Sequence, residues 1–231
     1  MIKKLSKLFP LLIAVMIAVG ATSCSKDDDN TFFSGPYNTF GIVRLKSDVS
    51  ILLEYYNSNN ANPTQMYINT ANYTSSLDDI LPGSRVMVTY NITNRQPSGN
   101  SNSTSIQLID IYNVKTLLPV STNTEDCTVG NICIPVNSLP FVAGGYINIV
   151  SSFADRDKTS FVVEADNSTL NTRDIVLYLR CTEGSYKEAD GEVCPLSIDV
   201  SSYMADPNTR TVTLKLLDTS NLTKTYTFNK N

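Results

Sequence analysis

Apolar residues recur at every second position through almost every ordered stretch of this chain. "SRVMVTYNIT" sets Val86, Val88, Tyr90 and Ile92 on one side. "RDIVLYLRC" does the same with Ile175, Leu177 and Leu179, and "RTVTLKLLD" with Val212, Leu214 and Leu216. A repeat of two belongs to a strand with one buried face, whereas a helix repeats every ~3.6 residues. No run of useful length carries the helical stripe. The chain is therefore expected to be all-β.

The strands fall into two groups. "YNTFGIVRLKSDVSILLEYY" reads as two strands around Ser47 and Asp48. "SNSTSIQLIDIYNVKTLL" alternates, with Ile106, Leu108 and Asp110 on one face and Gln107, Ile109 and Ile111 on the other. "NRQPSGNSNS" suits a hairpin tip, and "SLDDILPG" suggests one short helical turn capped by Ser76 and ended by Gly83. "PVSTNTED" is polar and aperiodic and opens on proline, which marks a domain boundary. Beyond it, strands about ten residues apart with turn residues between them predict a β-sandwich. Residues 37–119 and 120–231 are thus expected to be two domains.

The first residues are of another kind. Lys3, Lys4 and Lys7 precede an apolar stretch, residues 8–19, interrupted only by Pro10. It is too short to span a bilayer comfortably as a permanent helix. The small residues Gly20, Ala21, Thr22 and Ser23 follow, so residues 1–23 read as a secretory signal peptide. They run directly into Cys24, which resembles a bacterial lipobox with Ala21 where leucine is usual. That resemblance implies an acylated Cys24 at the mature N-terminus and a membrane partner through the lipid. Ser25, Lys26, Asp27, Asp28 and Asp29 come next. A run of like charge beside a lipid stays solvated, so residues 24–36 are expected to form an acidic tether. "CSKDDD" also resembles the lipoprotein export signal of Bacteroidetes, which routes lipoproteins to the outer face of the outer membrane. The expected location is therefore the outer membrane, lipid-anchored and exposed at the cell surface.

Charge and composition narrow the function. The chain has 18 Lys and Arg against 22 Asp and Glu; loss of the three leader lysines leaves a mature charge of −7. An acidic surface repels phosphate backbones, which argues against nucleic acid as a partner. Histidine is absent from all 231 residues. Ser-His-Asp and Cys-His nucleophile activation are excluded with it. So are mixed cysteine–histidine zinc sites, three-histidine zinc and two-histidine iron. No phosphate-binding or dinucleotide glycine motif occurs. No cofactor and no metal site are expected.

Four cysteines remain in the folded part: Cys127, Cys133, Cys181 and Cys194. An even number in an exported chain reads first as disulfides. The spacing does not match the paired short knuckles of a four-cysteine zinc site. Three pairings are open. Cys127–Cys133 and Cys181–Cys194 are preferred, because each closes a short local loop.

Few residues invite a catalytic or binding role. Tyr55 and Tyr56 look like a contact pair, but adjacent strand residues point to opposite faces, so at most one should line an exposed platform. Asp78 with Asp79, and Asp155 with Asp157, could be offered as carboxylate pairs for glycoside hydrolysis. Both pairs sit in polar turns, where aspartate is expected for its turn chemistry.

Together these features resemble the NigD-like lipoproteins of Bacteroidetes over the whole mature chain. The resemblance is carried by Cys24 with its acidic tether and by "LPGSRVMVTYNIT", "IQLIDIYNVKTLL", "GGYINIVSSF" and "DIVLYLRC". It implies an N-terminal OB-like barrel followed by a C-terminal β-sandwich, and it transfers no catalytic residue. The function expected is a non-catalytic binding or interaction module of the cell envelope, with an envelope protein or a glycan as partner. An adhesive, pilin-related subunit and a carboxylate-dependent glycan hydrolase are the alternatives.

Overall fold

The structure, a computed structural model, describes residues 36–56, 62–98, 101–185 and 191–230. Cys24, Ser25, Lys26, Asp27, Asp28 and Asp29 lie outside the described residues. The described residues are nearly all-β, with one short helical turn among them at Ser201–Ala205.

The first sheet holds β1 (Tyr37–Lys46), β2 (Ser50–Tyr55), β3 (Thr64–Asn69), β4 (Arg85–Ser98) and β5 (Ser101–Asn113). All its pairs are antiparallel, in the order β3-β2-β1-β4-β5. The edges β3 and β5 approach each other, giving the strand order of an OB-like barrel. No ladder joins them among the described residues, so the sheet curls without closing into a barrel. Val43, Ile51, Leu53, Ile68, Val86 and Val88 fill its concave side. "SLDDILPG" forms turns rather than a helix: the Ile80 amide donates to the Leu77 carbonyl, and the Ile80 side chain enters this core. The supposed hairpin loop is shorter than expected, since the β4–β5 ladder runs on to Ser98 opposite Ser101.

The alternation expected of β5 slips by one residue. Thr89 pairs with Asp110 and Tyr90 with Leu108, which leaves Ile109 as the extra residue of a β-bulge. The phase therefore changes midway. Ile106 and Leu108 pack on the core and Ile111 joins them. Asp110 instead accepts hydrogen bonds from the Tyr73 and Tyr112 hydroxyls.

The chain leaves the first sheet at Asn113 and then feeds two more sheets. β6 (Lys115–Leu117), β8 (Phe141–Ala143), β9 (Tyr146–Phe153) and β12 (Glu192–Asp199) make a middle sheet, in the order β6-β12-β9-β8. β7 (Val120–Thr122), β10 (Ser160–Asp166), β11 (Asp174–Glu183), β13 (Thr211–Leu217) and β14 (Thr223–Asn229) make an outer sheet, in the order β14-β13-β11-β10-β7. Three pairs are parallel: β6 with β12, β7 with β10, and β11 with β13. β14 is paired with β13 along its whole length, Thr211 to Asn229 through Leu217 to Thr223.

These two sheets form the sandwich. Ile147, Ile149 and Phe153 from β9 meet Ile175, Leu177 and Leu179 from β11 and Val212, Leu214 and Leu216 from β13. The alternation read in the sequence holds along β11 and β13. It fails along β9, which is buried on both faces. Its second face, with Val150, lies against Phe40 of β1 and Met87 of β4. The middle sheet is thus covered on one side by the outer sheet and on the other by the convex face of the first. At ~25 cal/mol per Å² of apolar area, both contacts contribute to holding the halves together.

Candidate binding cleft

Beside the apolar contact of Phe40, Met87 and Val150, a cleft opens between the first sheet and the β8–β9 turn. Its outer chamber, about 320 Å³, is lined by Tyr55, Tyr56, Tyr90, Phe40 and Phe141, with Asn38 and Thr39 between them. Its inner chamber, about 190 Å³, shares Phe40 and Tyr56 and adds Arg44, Glu54, Arg85 and Tyr146. The rings support one another: Phe40 meets Phe141 edge-on at 5.8 Å, and Tyr37 leans on Tyr90 at 5.8 Å. Such pairs hold aromatic faces in fixed orientations. Thr39 Oγ1 and the Tyr90 hydroxyl share a hydrogen bond of 3.2 Å. Burial pushes the Tyr55 hydroxyl above its ordinary pKa, so it is a neutral donor at physiological pH.

Tyr55 and Tyr56 do point to opposite faces: Tyr55 packs against the core of the first sheet, and the Tyr56 ring meets Gly144 of the β8–β9 turn. Both residues nonetheless border the outer chamber, and Tyr56 borders the inner one as well. The β8–β9 turn fixes that ring. Gly144 has φ +60°, and a Cβ built on it would lie 2.5 Å from Tyr56 Cδ2. Glycine is required there twice, for its backbone and for the missing side chain.

Arg85, the first residue of β4, was not singled out by any motif. Its guanidinium crosses from the first sheet to the middle one. Nε donates to Ser197 Oγ at 2.8 Å, and Nη2 donates to Asn148 Oδ1 at 2.8 Å. Ser197 Oγ donates to the same Asn148 oxygen at 2.8 Å. Cζ stands 3.8 Å from the centre of the Tyr146 ring, a cation–π contact. No carboxylate forms an ion pair with Arg85 among the described residues. Burial accordingly depresses its pKa to about 10, with Tyr146 and Asp199 only partly offsetting this. Arg44 is different: it pairs with Glu54 at 2.5 Å.

The aspartates raised as hydrolase candidates do the work of turns. Asp78 accepts from the Ser76 hydroxyl. Asp155 Oδ1 accepts from the amides of Asp157 and Lys158, and its other oxygen pairs with Lys158 at 2.7 Å. Lys158 holds the Asp155 carboxyl below its ordinary pKa, which favours a permanent anion. Neither pair lines the cleft.

All four cysteines stand as free thiols. Cys181 on β11 and Cys194 on β12 are buried together in the sandwich core. Burial pushes the Cys181 thiol up to about 11, and neighbouring Cys194 raises it further. Cys127 and Cys133 have different partners, the Thr122 carbonyl at 3.8 Å and Asn221 Oδ1 at 3.2 Å. Among the described residues no group of acidic and cysteine side chains is arranged to hold a metal ion.

No family model matches this chain, and no curated protein matches it by sequence. Its all-β fold does match solved structures of proteins from Bacteroides. A protein of unknown function DUF1344 from Bacteroides vulgatus superposes with a TM-score of 0.57 at 13% identity, over 85% of this chain and 92% of that one. A NigD-like immunity protein from Bacteroides caccae superposes with a TM-score of 0.51 at 16% identity, over 87% of this chain and 100% of that one. At these identities the likeness is one of fold.

Proposed function

We propose that the protein is a non-catalytic binding module of the cell envelope, a NigD-like lipoprotein anchored in the outer membrane through lipid on Cys24 and displayed at the cell surface. Its ligand enters the cleft beside the Phe40–Met87–Val150 contact. One observation carries this reading: aromatic residues and a half-buried arginine without an ion-pair partner line two adjoining chambers that share Phe40 and Tyr56. Tyrosine suits such a surface, since it offers a rigid apolar face and a hydrogen-bonding tip at small entropic cost. The fold shared with the NigD-like immunity protein, the lipobox and the "CSKDDD" tether support the family and the location. A lipid anchor concentrates a weak binder at a surface and permits avidity.

The test is a glycan array together with capture of envelope proteins, run with wild type and Tyr56→Ala. Binding lost on removal of that ring supports the cleft. Turnover of any glycan or peptide, abolished by one carboxylate substitution without unfolding, would replace this reading with a hydrolase. Fatty-acid labelling of wild type but not of Cys24→Ala tests the anchor. Equal labelling of both would remove it. Replacing Asp27, Asp28 and Asp29 by alanine should keep the label and reduce surface exposure to added protease.

The oxidising envelope also supports disulfides, for which Cys181 and Cys194 are the better placed pair, facing each other from the outer and middle sheets. Non-reducing peptide mapping should join them. Cys181 found joined to Cys127 or Cys133 would overturn that pairing.

A further inference from the structure

The two chambers differ in charge, and the difference names a ligand class. The outer chamber has no ionisable carboxylate or cation in its lining. The inner chamber has two arginines against one glutamate. Glu54 is consumed by Arg44, which leaves Arg85 without an ion-pair partner and only partly offset by the more distant Asp199. This surplus positive charge lies in a chain whose net charge is −4, or −7 without its leader.

The guanidinium is already held in place. Ser197 and Asn148 occupy Nε and one Nη2 hydrogen, and Tyr146 lies against its face. Nη1 makes no hydrogen bond among the described residues, and it is not an enclosed, unsatisfied atom. A planar fork fixed on one edge and open on the other is suited to a carboxylate, which takes two parallel N–H···O bonds from arginine. A buried cation without a counter-ion is costly, and an incoming carboxylate relieves that cost.

The rest of the ligand follows from the outer chamber. β1 is hydrogen-bonded on both sides, to β2 and to β4. The first sheet therefore offers no free edge here, and the edge strand that borders the cleft, β8, is only three residues long, a short template for a peptide to extend. The cleft offers ring faces with hydroxyl and amide groups between them. A ligand with a hydroxylated ring that presents an apolar C–H face, and with one carboxylate, matches the chemistry of both chambers. A densely charged polyanion would be repelled by the acidic surface around them.

We propose that the cleft binds an acidic oligosaccharide, with a sugar ring against Tyr56 and Phe141 and a hexuronate carboxylate on Arg85. This rests on the cleft being the binding site, as proposed above.

The experiment uses the full chain in detergent and a panel of short hexuronate oligosaccharides, each paired with its neutral methyl ester. Calorimetry should find an acid that binds at least ~10-fold tighter than its ester. Raising salt should weaken the acid and leave the ester unchanged, a readout that needs no variant. Arg85→Met should bring the acid down to the ester's affinity, with the ester itself unaffected. Tyr56→Ala should weaken both. Equal binding of acid and ester, or a preference for acid that survives Arg85→Met, overturns the hexuronate assignment while leaving the cleft as a binding site. If no member of the panel binds, the assignment falls. If neutral glycans or envelope proteins bind and Tyr56→Ala does not weaken them, the cleft itself is wrong.

Discussion

The sandwich core and the contact between the middle and first sheets share a strand but not a chemistry. β9 sends Ile147, Ile149 and Phe153 into the core, with Ser151 as the one polar residue of that face, its hydroxyl donating to the Cys194 carbonyl. From its other face it sends Val150 to meet Phe40 and Met87, and Asn148 to meet Arg85. Both faces are buried, and the second is much the more polar. An apolar core gains mainly from area and admits a polar atom only where that atom is satisfied. A mixed contact must satisfy each polar group by name, as Asn148 and Ser197 do for Arg85. Polar groups that have to be placed can also be placed for a ligand, which is why the cleft lies at the mixed contact and not in the sandwich.

Substitution separates the two regions. Leu177→Ala leaves a void among fully buried side chains and should cost about 2–5 kcal/mol in chemical denaturation. Asn148→Ala removes the acceptor shared by Arg85 Nη2 and Ser197 Oγ and should cost about 1–3 kcal/mol. The core variant should lose stability alone, with binding intact in the folded fraction. The Asn148 variant should also lose ligand affinity, because Arg85 then keeps a single hydrogen bond, to Ser197, beside the Tyr146 ring. If both variants change stability alone, the mixed contact is no more than a second core.

The sequence announces the first region far better than the second. Ile175, Leu177 and Leu179, or Val212, Leu214 and Leu216, declare their faces because one side of each strand is wetter than the other. The same rule misreads Asn148 and Ser197, both fully buried. A polar residue in an alternating strand is taken to face water, and only the packing of a third sheet contradicts that. Ile111 was hidden by the bulge at Ile109. Arg85 carried no signal, since its role depends on β9 and β12, more than sixty residues away. The one cue within reach was "GGYINIV": two adjacent glycines beside a tyrosine imply a turn made for close approach.

That turn gives the next and smaller effect. Gly144→Ala forces a side chain into a left-handed conformation and against the Tyr56 ring. The backbone term alone is about 1–2 kcal/mol. Because Tyr56 belongs to both chambers, binding should weaken by more than the loss of stability explains. Gly83→Ala is the control: its φ is +91° and nothing lies within 4 Å of the new Cβ. It should show backbone strain without any effect on ligand. Equal loss of binding in both variants would mean that the turn is structural only.

The smallest effect belongs to the side of the sandwich away from the cleft, and it is one of pH. Asp166, at the end of β10, accepts from the Thr124 hydroxyl at 2.6 Å and from the Ser168 amide and hydroxyl at 2.9 and 2.7 Å. These bonds, led by Thr124, hold its carboxyl below the ordinary value of 3.8. A carboxyl with a lower pKa in the folded state stabilises that state only while it is ionised. Its contribution is complete above the unfolded value and disappears as pH falls through the folded one. Asp166→Asn should therefore be less stable than wild type at pH 7, and the gap should close as the pH is taken below about 4. Ligand affinity should be equal in the two proteins at neutral pH, because no part of this network lines the cleft. A stability gap that stays constant with pH would mean that Asp166 acts by shape alone. A change in affinity would mean that the outer sheet and the cleft are coupled, and the separation of core from mixed contact would then fail.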